Sequence, residues 1–229
     1  MESKWLICSM ASTSIKTDDV SNEQDLPAVK ESRQHKQCLQ RLRFACKESP
    51  FVKFMFKVME ENGCPVNISR NISCEKCPEG SIINGGFDPS NGQIVLCENR
   101  APSQRVVSTL LTHELIHAFD FCRAHVEWNN LRHVACTEIR AASLSGDCSF
   151  FNQNLYSRKF GFMKHHQKCV QERAMKSVMS VRDIPKEEVQ KTIDDVWDIC
   201  FNDHEPFDKI PRNKEDVQRM ARQRYNYDL

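Results

Sequence analysis

The sequence has almost no excess of either charge. Its 32 lysines and arginines are matched by 31 aspartates and glutamates, which leaves a net charge of +1 over 229 residues. Proteins that hold nucleic acid or an anionic lipid surface through their overall field need a clear basic surplus. The balance therefore gives no electrostatic case for either ligand, and we expect no nucleic-acid partner.

Long apolar runs are also missing from the chain. None approaches the roughly 20 residues that a helix needs to cross a bilayer. The longest candidate extends from Phe51 to Met59 and is interrupted by Lys53 and Lys57. Any attachment to a membrane is therefore expected to be peripheral.

The first 32 residues lack the features of two common targeting signals. A secretory signal needs an apolar segment of about 7–15 residues, but residues 1–10 offer only Trp5, Leu6 and Ile7. A matrix-targeting sequence is rich in arginine and poor in acids, but this stretch has several acids and no arginine before Arg33. Because residues 1–32 are polar and show no hydrophobic periodicity, they are predicted to form a disordered tail.

Cysteine, by contrast, is abundant, with 12 residues. A disulfide framework is one explanation, and it requires an oxidising compartment. The mitochondrial intermembrane space provides such a compartment without a cleavable secretory signal. A reducing cytosol, with thiols that are free or bound to zinc, is the alternative.

The local spacing of four cysteines favours disulfides between distant segments. Cys74 and Cys77 form a C-x-x-C motif, but no second copy exists to complete a four-cysteine zinc site. Cys38 and Cys46 bracket two turns of a predicted helix and are too far apart to bond each other. Each of the four is therefore expected to pair with another segment.

One apolar stretch, Leu110 to Asp120, contains the pattern His-Glu-x-x-His. On a helix His113 and His117 lie one turn apart on the same face, so both imidazoles can reach one metal ion. Glu114 lies beside them and is placed to act as a general base, provided that it does not bind the metal. Two imidazoles are typical ligands of Zn²⁺, so the motif predicts a zinc hydrolase.

A third protein ligand is expected on the next helix. Glu138 follows His117 by 21 residues and is succeeded by Ile-Arg-Ala. In the gluzincin class of peptidases, a glutamate at about this distance completes the zinc site, and small residues after it let the two helices pack closely. His125, His133 and Asp120 are the alternatives to Glu138.

The neighbouring residues exclude another class of zinc peptidase. The metzincin pattern requires glycine and histidine where this chain has Asp120 and Arg123. Asp120, three residues after His117, could instead accept a hydrogen bond from an imidazole N–H. The donor that stabilises the transition-state oxyanion is not identified by any pattern; Arg140, His133 and Tyr156 are candidates.

Hydrophobic periodicity and chain breakers predict an α+β fold. The expected helices cover residues 34–46, 51–62, 101–122, 134–144, 165–181 and 185–200, and the expected strands cover 66–73, 81–87 and 93–98. The last two strands flank the turn at 88–92 and form a hairpin whose edge could hold an extended peptide. We expect a short antiparallel sheet packed on the HExxH helix, with the other helices around it.

The same patterns predict one disulfide-rich domain over residues 33–207. A charged segment follows at 208–229 and is expected to form a helix on the surface. His165 and His166 lie in a charged stretch and are also expected at the surface, not as metal ligands.

With these residues in view, the chain resembles a known family. This is the family of metallopeptidases of the mitochondrial inner membrane that assist ATP synthase assembly, also catalogued as Ku-antigen-binding proteins. The resemblance extends from about Cys38 to Phe207. It is carried by several motifs in order: Thr112-His113-Glu114-Leu115-Ile116-His117, Cys136-Thr137-Glu138-Ile139-Arg140-Ala141, Asp147-Cys148-Ser149, His165-His166-Gln167-x-Cys169-Val170 and Cys200-x-x-Asp203-x-x-Pro206-Phe207.

The resemblance implies a zinc peptidase with a gluzincin-like core, in which His113 and His117 bind the metal, Glu114 is catalytic and the cysteines form disulfides. It implies peripheral attachment to the inner membrane on the intermembrane-space side. The implied substrate or client is a mitochondrially encoded membrane subunit of the ATP synthase proton channel. Two alternatives are an assembly chaperone whose peptidase site is idle, and a nuclear adaptor that binds a DNA-repair protein and keeps its thiols reduced.

Overall fold

The computed structural model describes residues 32–80, 83–149 and 162–226. Within these ranges the chain forms eight α-helices, one 3-10 turn and three strands. In chain order they are α1 (Arg33–Glu48), α2 (Pro50–Glu61), α3 (Ile68–Asn71), β1 (Ile72–Glu75), β2 (Gly85–Asp88), β3 (Gln93–Cys97), the 3-10 turn (Glu98–Arg100), α4 (Gln104–Arg123), α5 (Leu131–Leu144), α6 (Phe162–Val181), α7 (Lys186–Asn202) and α8 (Lys214–Asn226). The α+β class is confirmed.

Helix α4 carries the HExxH motif and begins at Gln104, three residues after the predicted start. The side chain of Ser103 caps it by accepting a hydrogen bond from the backbone N–H of Val106. Nine of the ten residues from Leu111 to Asp120 are buried, so the middle of the helix is enclosed on nearly every side. The motif therefore lies on a rigid element.

The sheet is mixed, so the predicted antiparallel sheet was wrong in one of its two pairings. Its strand order is β1-β3-β2, with β2 antiparallel and β1 parallel to β3. The chain leaves β1, crosses to the far edge to form β2, and returns between them as β3, so β3 runs in the same direction as β1. The crossing loop is held by the Cys77–Cys97 disulfide and by two hydrogen bonds between Asn99 and the backbone of Cys77.

The first predicted strand, over 66–73, was also partly wrong. Asn67 caps the short helix α3 by accepting a hydrogen bond from the backbone N–H of Arg70, so β1 begins only at Ile72. The predicted hairpin is confirmed over Gly85–Asp88 and Gln93–Cys97. Its turn ends at Gly92, whose φ of +67° favours glycine.

The described residues form two hydrophobic cores. The first lies among α1, α2, the sheet, α4 and α8, and the second among α5, α6 and α7. Helix α5 contributes to both, since Ala141 and Leu144 pack in the first core while Ile139 and Ala142 pack in the second. The charged C-terminal segment adds two buried side chains, Val217 and Met220, to the first core.

Five disulfides connect the described residues, and each lies within one half of this arrangement. Those around the first core are Cys38–Cys74, Cys64–Cys122 and Cys77–Cys97, and those around the second are Cys136–Cys200 and Cys148–Cys169. The expectation that Cys74 and Cys77 belong to separate disulfides is confirmed. The expectation that Cys46 forms a disulfide with another segment was wrong, because this half-buried residue is a free thiol. Cys8 and nearly all of the predicted tail lie outside the described residues.

His166 was wrongly predicted to lie at the surface. Its side chain is buried, with Nδ1 2.9 Å from the carbonyl oxygen of Cys148 and Nε2 3.2 Å from Oγ of Ser143. The Cys148–Cys169 disulfide draws the beginning of α6 against the end of α5, and this contact encloses the imidazole. Across the described part of the chain, no helix is both long and apolar enough to traverse a membrane.

Candidate metal centre

Helix α4 brings two imidazoles together, as the spacing predicts. The rings of His113 and His117 are 4.8 Å apart and meet edge to face. His117 is buried, while the side chain of His113 is 16% exposed. The pair therefore lies just beneath the protein surface, and one side of His113 is accessible to solvent.

Helix α5 supplies the third group. Oε2 of Glu138 lies 3.4 Å from Nε2 of His113 and 3.7 Å from Nε2 of His117. In the described residues these three are the group whose ligand atoms all lie within 4.8 Å of one another. Small residues after Glu138, Ala141 and Ala142, are fully buried and allow α5 to lie close to its neighbours.

The three alternatives to Glu138 are not brought into this group. His133 accepts a hydrogen bond from the backbone N–H of Glu127, and the exposed His125 lies near the carboxylate of Glu127. Asp120 is buried, but it is paired with Arg140. None of the three side chains therefore contributes an atom to the group of His113, His117 and Glu138.

The carboxylate of Glu138 carries a feature that fits a bound cation. Its Oε2 is fully enclosed and has no hydrogen-bond partner, since both imidazole contacts are longer than normal hydrogen bonds. A buried carboxylate oxygen without a partner is costly unless a positive charge compensates it. Two imidazole nitrogens and one carboxylate oxygen are a donor set of catalytic metal sites. The residues present therefore fit a divalent metal ion.

The pKa shifts of the three side chains also fit a bound cation. Burial alone would lower the pKa of His113, but the approach of Glu138 and the charge of Glu114 raise it to about 9. Burial lowers the pKa of His117 to about 4. Burial opposes ionisation of Glu138, yet attraction to the two histidines holds its pKa below the usual value. The site thus favours a positive charge next to the carboxylate of Glu138.

Glu114 lies beside this group without belonging to it. Its carboxylate is buried and accepts a hydrogen bond from the backbone N–H of Phe87, in the edge strand β2. Burial raises the pKa of Glu114 to about 7, with a further rise from the charge of Glu138 that His113 opposes. A carboxyl group with a pKa near neutrality can both accept and donate a proton at physiological pH.

Strand β2 is packed tightly against both β3 and helix α4 at Gly85. A Cβ atom on Gly85 would come within 2.7 Å of the carbonyl oxygen of Val95 and within 3.2 Å of the side chain of Leu110. Only glycine fits there without a shift of the backbone. The close approach explains how the backbone of β2 reaches Glu114.

Three aromatic side chains form a cluster beside the imidazole of His117. Phe87, Phe121 and Trp128 lie with ring centroids 5.9–6.5 Å apart, and the ring of Trp128 meets that of His117 at 6.3 Å. Phe121 is 42% exposed, so the cluster presents an apolar surface next to the candidate metal ligands.

Sequence reasoning missed the partner of His117. The prediction that Asp120 bonds directly to an imidazole N–H was wrong, because Thr137 lies between them. Nδ1 of His117 is 2.9 Å from Oγ1 of Thr137, which donates to Oδ2 of Asp120 at 2.8 Å. The sequence did contain a clue to this partner. Thr137 and Arg140 lie near Glu138 on a helix that is largely buried, and buried polar side chains need hydrogen-bond partners.

The candidates for an oxyanion donor gain no support. Arg140 is buried and donates to Asp120, to the carbonyl oxygen of Asp203 at 2.5 Å and to that of Glu205. His133 is occupied by the backbone of Glu127. Tyr156 lies outside the described residues.

Two imidazoles and a carboxylate from two buried helices fit the site of a metal-dependent hydrolase. Residues 36–208 match the model of the Peptidase M76 family, and the chain belongs to this family. No solved structure shows a significant match to the chain.

Three relatives are named mitochondrial inner membrane protease ATP23 or a homolog of it. The Xenopus laevis protein is 49% identical over 192 residues, which cover 83% of this chain and 80% of the relative. The Homo sapiens protein is 49% identical over 181 residues, covering 79% and 72%. The Schizosaccharomyces pombe protein is 39% identical over 180 residues, covering 78% and 95%. The resemblance noted from the motifs is thus confirmed.

Proposed function

We propose that the chain is a zinc metalloendopeptidase in which His113, His117 and Glu138 hold the metal and Glu114 is the general base. The observation that carries the proposal is the convergence of two imidazole nitrogens on an enclosed carboxylate oxygen that has no hydrogen-bond partner. Zinc, when bound, polarises the scissile carbonyl and lowers the pKa of the attacking water.

Glu114 has the position and the acidity for proton transfer. Because its carboxylate does not join the three ligands, it is free to take a proton from the attacking water and to give it to the leaving amine. The hydrogen bond from Phe87 holds the carboxylate toward the strand edge. Burial raises the pKa of Glu114 above that of an exposed glutamate, which strengthens the carboxylate as a base.

The outer edge of β2 is the surface on which we place the peptide. Within the described sheet β2 pairs with β3 alone, so the other outward backbone groups of this edge, apart from the N–H of Phe87 that binds Glu114, can form hydrogen bonds with an extended substrate. Such a strand would run past Glu114, which contacts β2 through Phe87. The aromatic cluster of Phe87, Phe121 and Trp128 would then contact side chains of the peptide.

The proposed substrate is a mitochondrially encoded membrane subunit of the ATP synthase proton channel. The proposed location is the intermembrane-space side of the inner membrane, with peripheral attachment, and an assisting role in assembly of that complex accompanies cleavage. Two findings support the proposed location: the relatives named as mitochondrial inner membrane proteases, and five disulfides, which fit an oxidising compartment. The proposed substrate and the assembly role rest on the family resemblance alone. The same disulfides weigh against the nuclear adaptor, which requires reduced thiols.

The substitution Glu114→Gln tests the proposal. It keeps the shape of the side chain and the metal ligands but removes the base, so zinc content should persist while cleavage of the candidate subunit falls by at least 10²-fold. Glu187→Gln, which makes the same change on the exposed surface of α7, is the matched control. Undiminished cleavage by Glu114→Gln would refute the assignment of the base. If deletion of the protein blocks ATP synthase assembly but Glu114→Gln does not, the result would favour the assembly chaperone with an idle peptidase site.

A further inference from the structure

A buried chain of hydrogen bonds extends from His117 away from the proposed metal site. It passes from Nδ1 of His117 to the hydroxyl of Thr137 at 2.9 Å, and from there to Asp120 at 2.8 Å. Nε of Arg140 donates to both oxygens of Asp120, at 2.9 and 3.0 Å. All four side chains are buried.

The chemistry of these groups fixes the direction of each hydrogen bond. Asp120 is paired with the guanidinium of Arg140, so its carboxylate only accepts. The single hydroxyl hydrogen of Thr137 is therefore committed to Asp120, and its oxygen can only accept from His117. Nδ1 of His117 must then carry the proton, which leaves Nε2 with its lone pair toward Glu138.

Arg140 anchors the far end of the chain. Its other nitrogens donate to the carbonyl oxygens of Asp203 and Glu205, in the segment after α7. Because these acceptors belong to the backbone, Arg140 cannot turn away from Asp120 without leaving buried donors unpaired. The hydroxyl of Thr137 is thus oriented by Asp120, which Arg140 holds in place.

We propose that Thr137 is a positioning residue for the metal site. It selects the tautomer of His117 and fixes its ring plane, and the Asp120–Arg140 pair holds Thr137 in turn. This inference rests on the proposed metal ligands and goes beyond them, since Thr137 touches neither metal nor substrate. Partners of this kind typically strengthen metal binding by about 10–100-fold.

The test compares zinc affinities of the full chain with intact disulfides, measured by competition with a chelator. Thr137→Val removes the hydroxyl at nearly constant shape and should weaken zinc binding about 10–100-fold. Thr137→Ser restores the hydroxyl and should return the affinity to within about threefold of the wild type. In Co²⁺-substituted protein, the d–d absorption bands should shift in the valine variant and recover in the serine variant.

The chain offers a matched control in Thr112→Val. Thr112 is also buried and adjoins a proposed ligand, His113, but its hydroxyl donates only to the carbonyl oxygen of Ser108 in its own helix, at 2.8 Å. Its loss should leave zinc affinity and the Co²⁺ spectrum unchanged. An equal loss of affinity in both valine variants would indicate general destabilisation and overturn the positioning role.

Asp120→Asn provides a second route if the valine variant fails to fold. An amide can donate to Thr137, so the hydroxyl hydrogen is no longer committed and zinc affinity should fall. Wild-type affinity in either folded variant, Thr137→Val or Asp120→Asn, would overturn the inference and leave the proposed function intact. A wild-type chain that binds no zinc would overturn both.

Discussion

The backbone N–H of Phe87 donates a hydrogen bond to the carboxylate of Glu114. This bond joins the edge strand of the sheet to the proposed catalytic base on α4. A change in the position of β2 is therefore expected to alter both the peptide-binding edge and the orientation of the base.

Gly85→Ala tests this coupling between strand and helix. The added Cβ would lie 2.7 Å from the carbonyl oxygen of Val95, so β2 must move away from β3 or from Leu110. We expect the free energy of unfolding to fall by about 1–3 kcal/mol and KM for a peptide substrate to rise. Denaturant unfolding and steady-state kinetics measure the two effects. Gln93→Ala, an exposed change on β3, should leave both unchanged.

Zinc binding should release a proton near neutral pH. The pKa of His113 is raised to about 9 in the metal-free protein, so this imidazole is protonated at pH 7 and must lose its proton to bind a metal. Calorimetry in buffers of different ionisation enthalpy should detect about one proton released, and affinity should rise roughly tenfold per pH unit up to about pH 9. Affinity that is independent of pH from 6 to 9 would contradict this assignment.

The same group gives the metal-free protein a pH-dependent stability. Because the folded pKa of His113 is raised above the unfolded value of about 6.5, its stabilising contribution is complete below about pH 6.5. It is lost as pH rises from there to about 9. Urea unfolding of the chelator-treated protein should therefore show this loss, and His113→Gln should reduce it to the smaller contribution of Glu114, whose pKa is raised to about 7.

Removing the metal should loosen the junction between the two cores. The proposed ligands span α4 and α5, whereas each of the five disulfides lies within one half of the described arrangement. Zinc at a free concentration roughly a thousand times its Kd should stabilise the fold by about 4 kcal/mol. Hydrogen exchange should accelerate after chelation in the facing turns of α4 and α5. Equal exchange with and without metal would mean that the site does not connect the halves.

Loss of one disulfide should destabilise the second core. Cys136 and Cys200 are 64 residues apart and join α5 to α7, so replacing both by serine should lower the free energy of unfolding by about 4 kcal/mol. Cys46→Ser is the control, because burial raises the pKa of this free thiol to about 11 and no disulfide depends on it. A double variant as stable as the control would show that the Cys136–Cys200 bond is not formed.

The candidate site could be predicted from the sequence because its pattern is local. His113, Glu114 and His117 lie on one helix, and a period of 3.6 residues fixes their relative positions before any tertiary contact forms. Glu138 was found from its distance along the chain and the small residues after it. The turn at 88–92 likewise identified the hairpin beside the metal helix.

The parts that were mispredicted depend on contacts between distant segments. Whether β1 runs parallel or antiparallel to β3 follows from the path of the chain between them, which no local pattern contains. The enclosure of His166 follows from the Cys148–Cys169 pairing, and sequence alone does not determine connectivity. Thr137 is invisible as a partner of His117 until α4 and α5 are seen side by side.

Zinc stoichiometry in the purified, oxidised protein tests the central claim most directly. We expect one zinc ion per chain in the wild type and in Glu114→Gln, and far less than one in His117→Ala and Glu138→Ala. A wild-type chain without zinc, or full zinc content in both ligand variants, would contradict the proposed metal site.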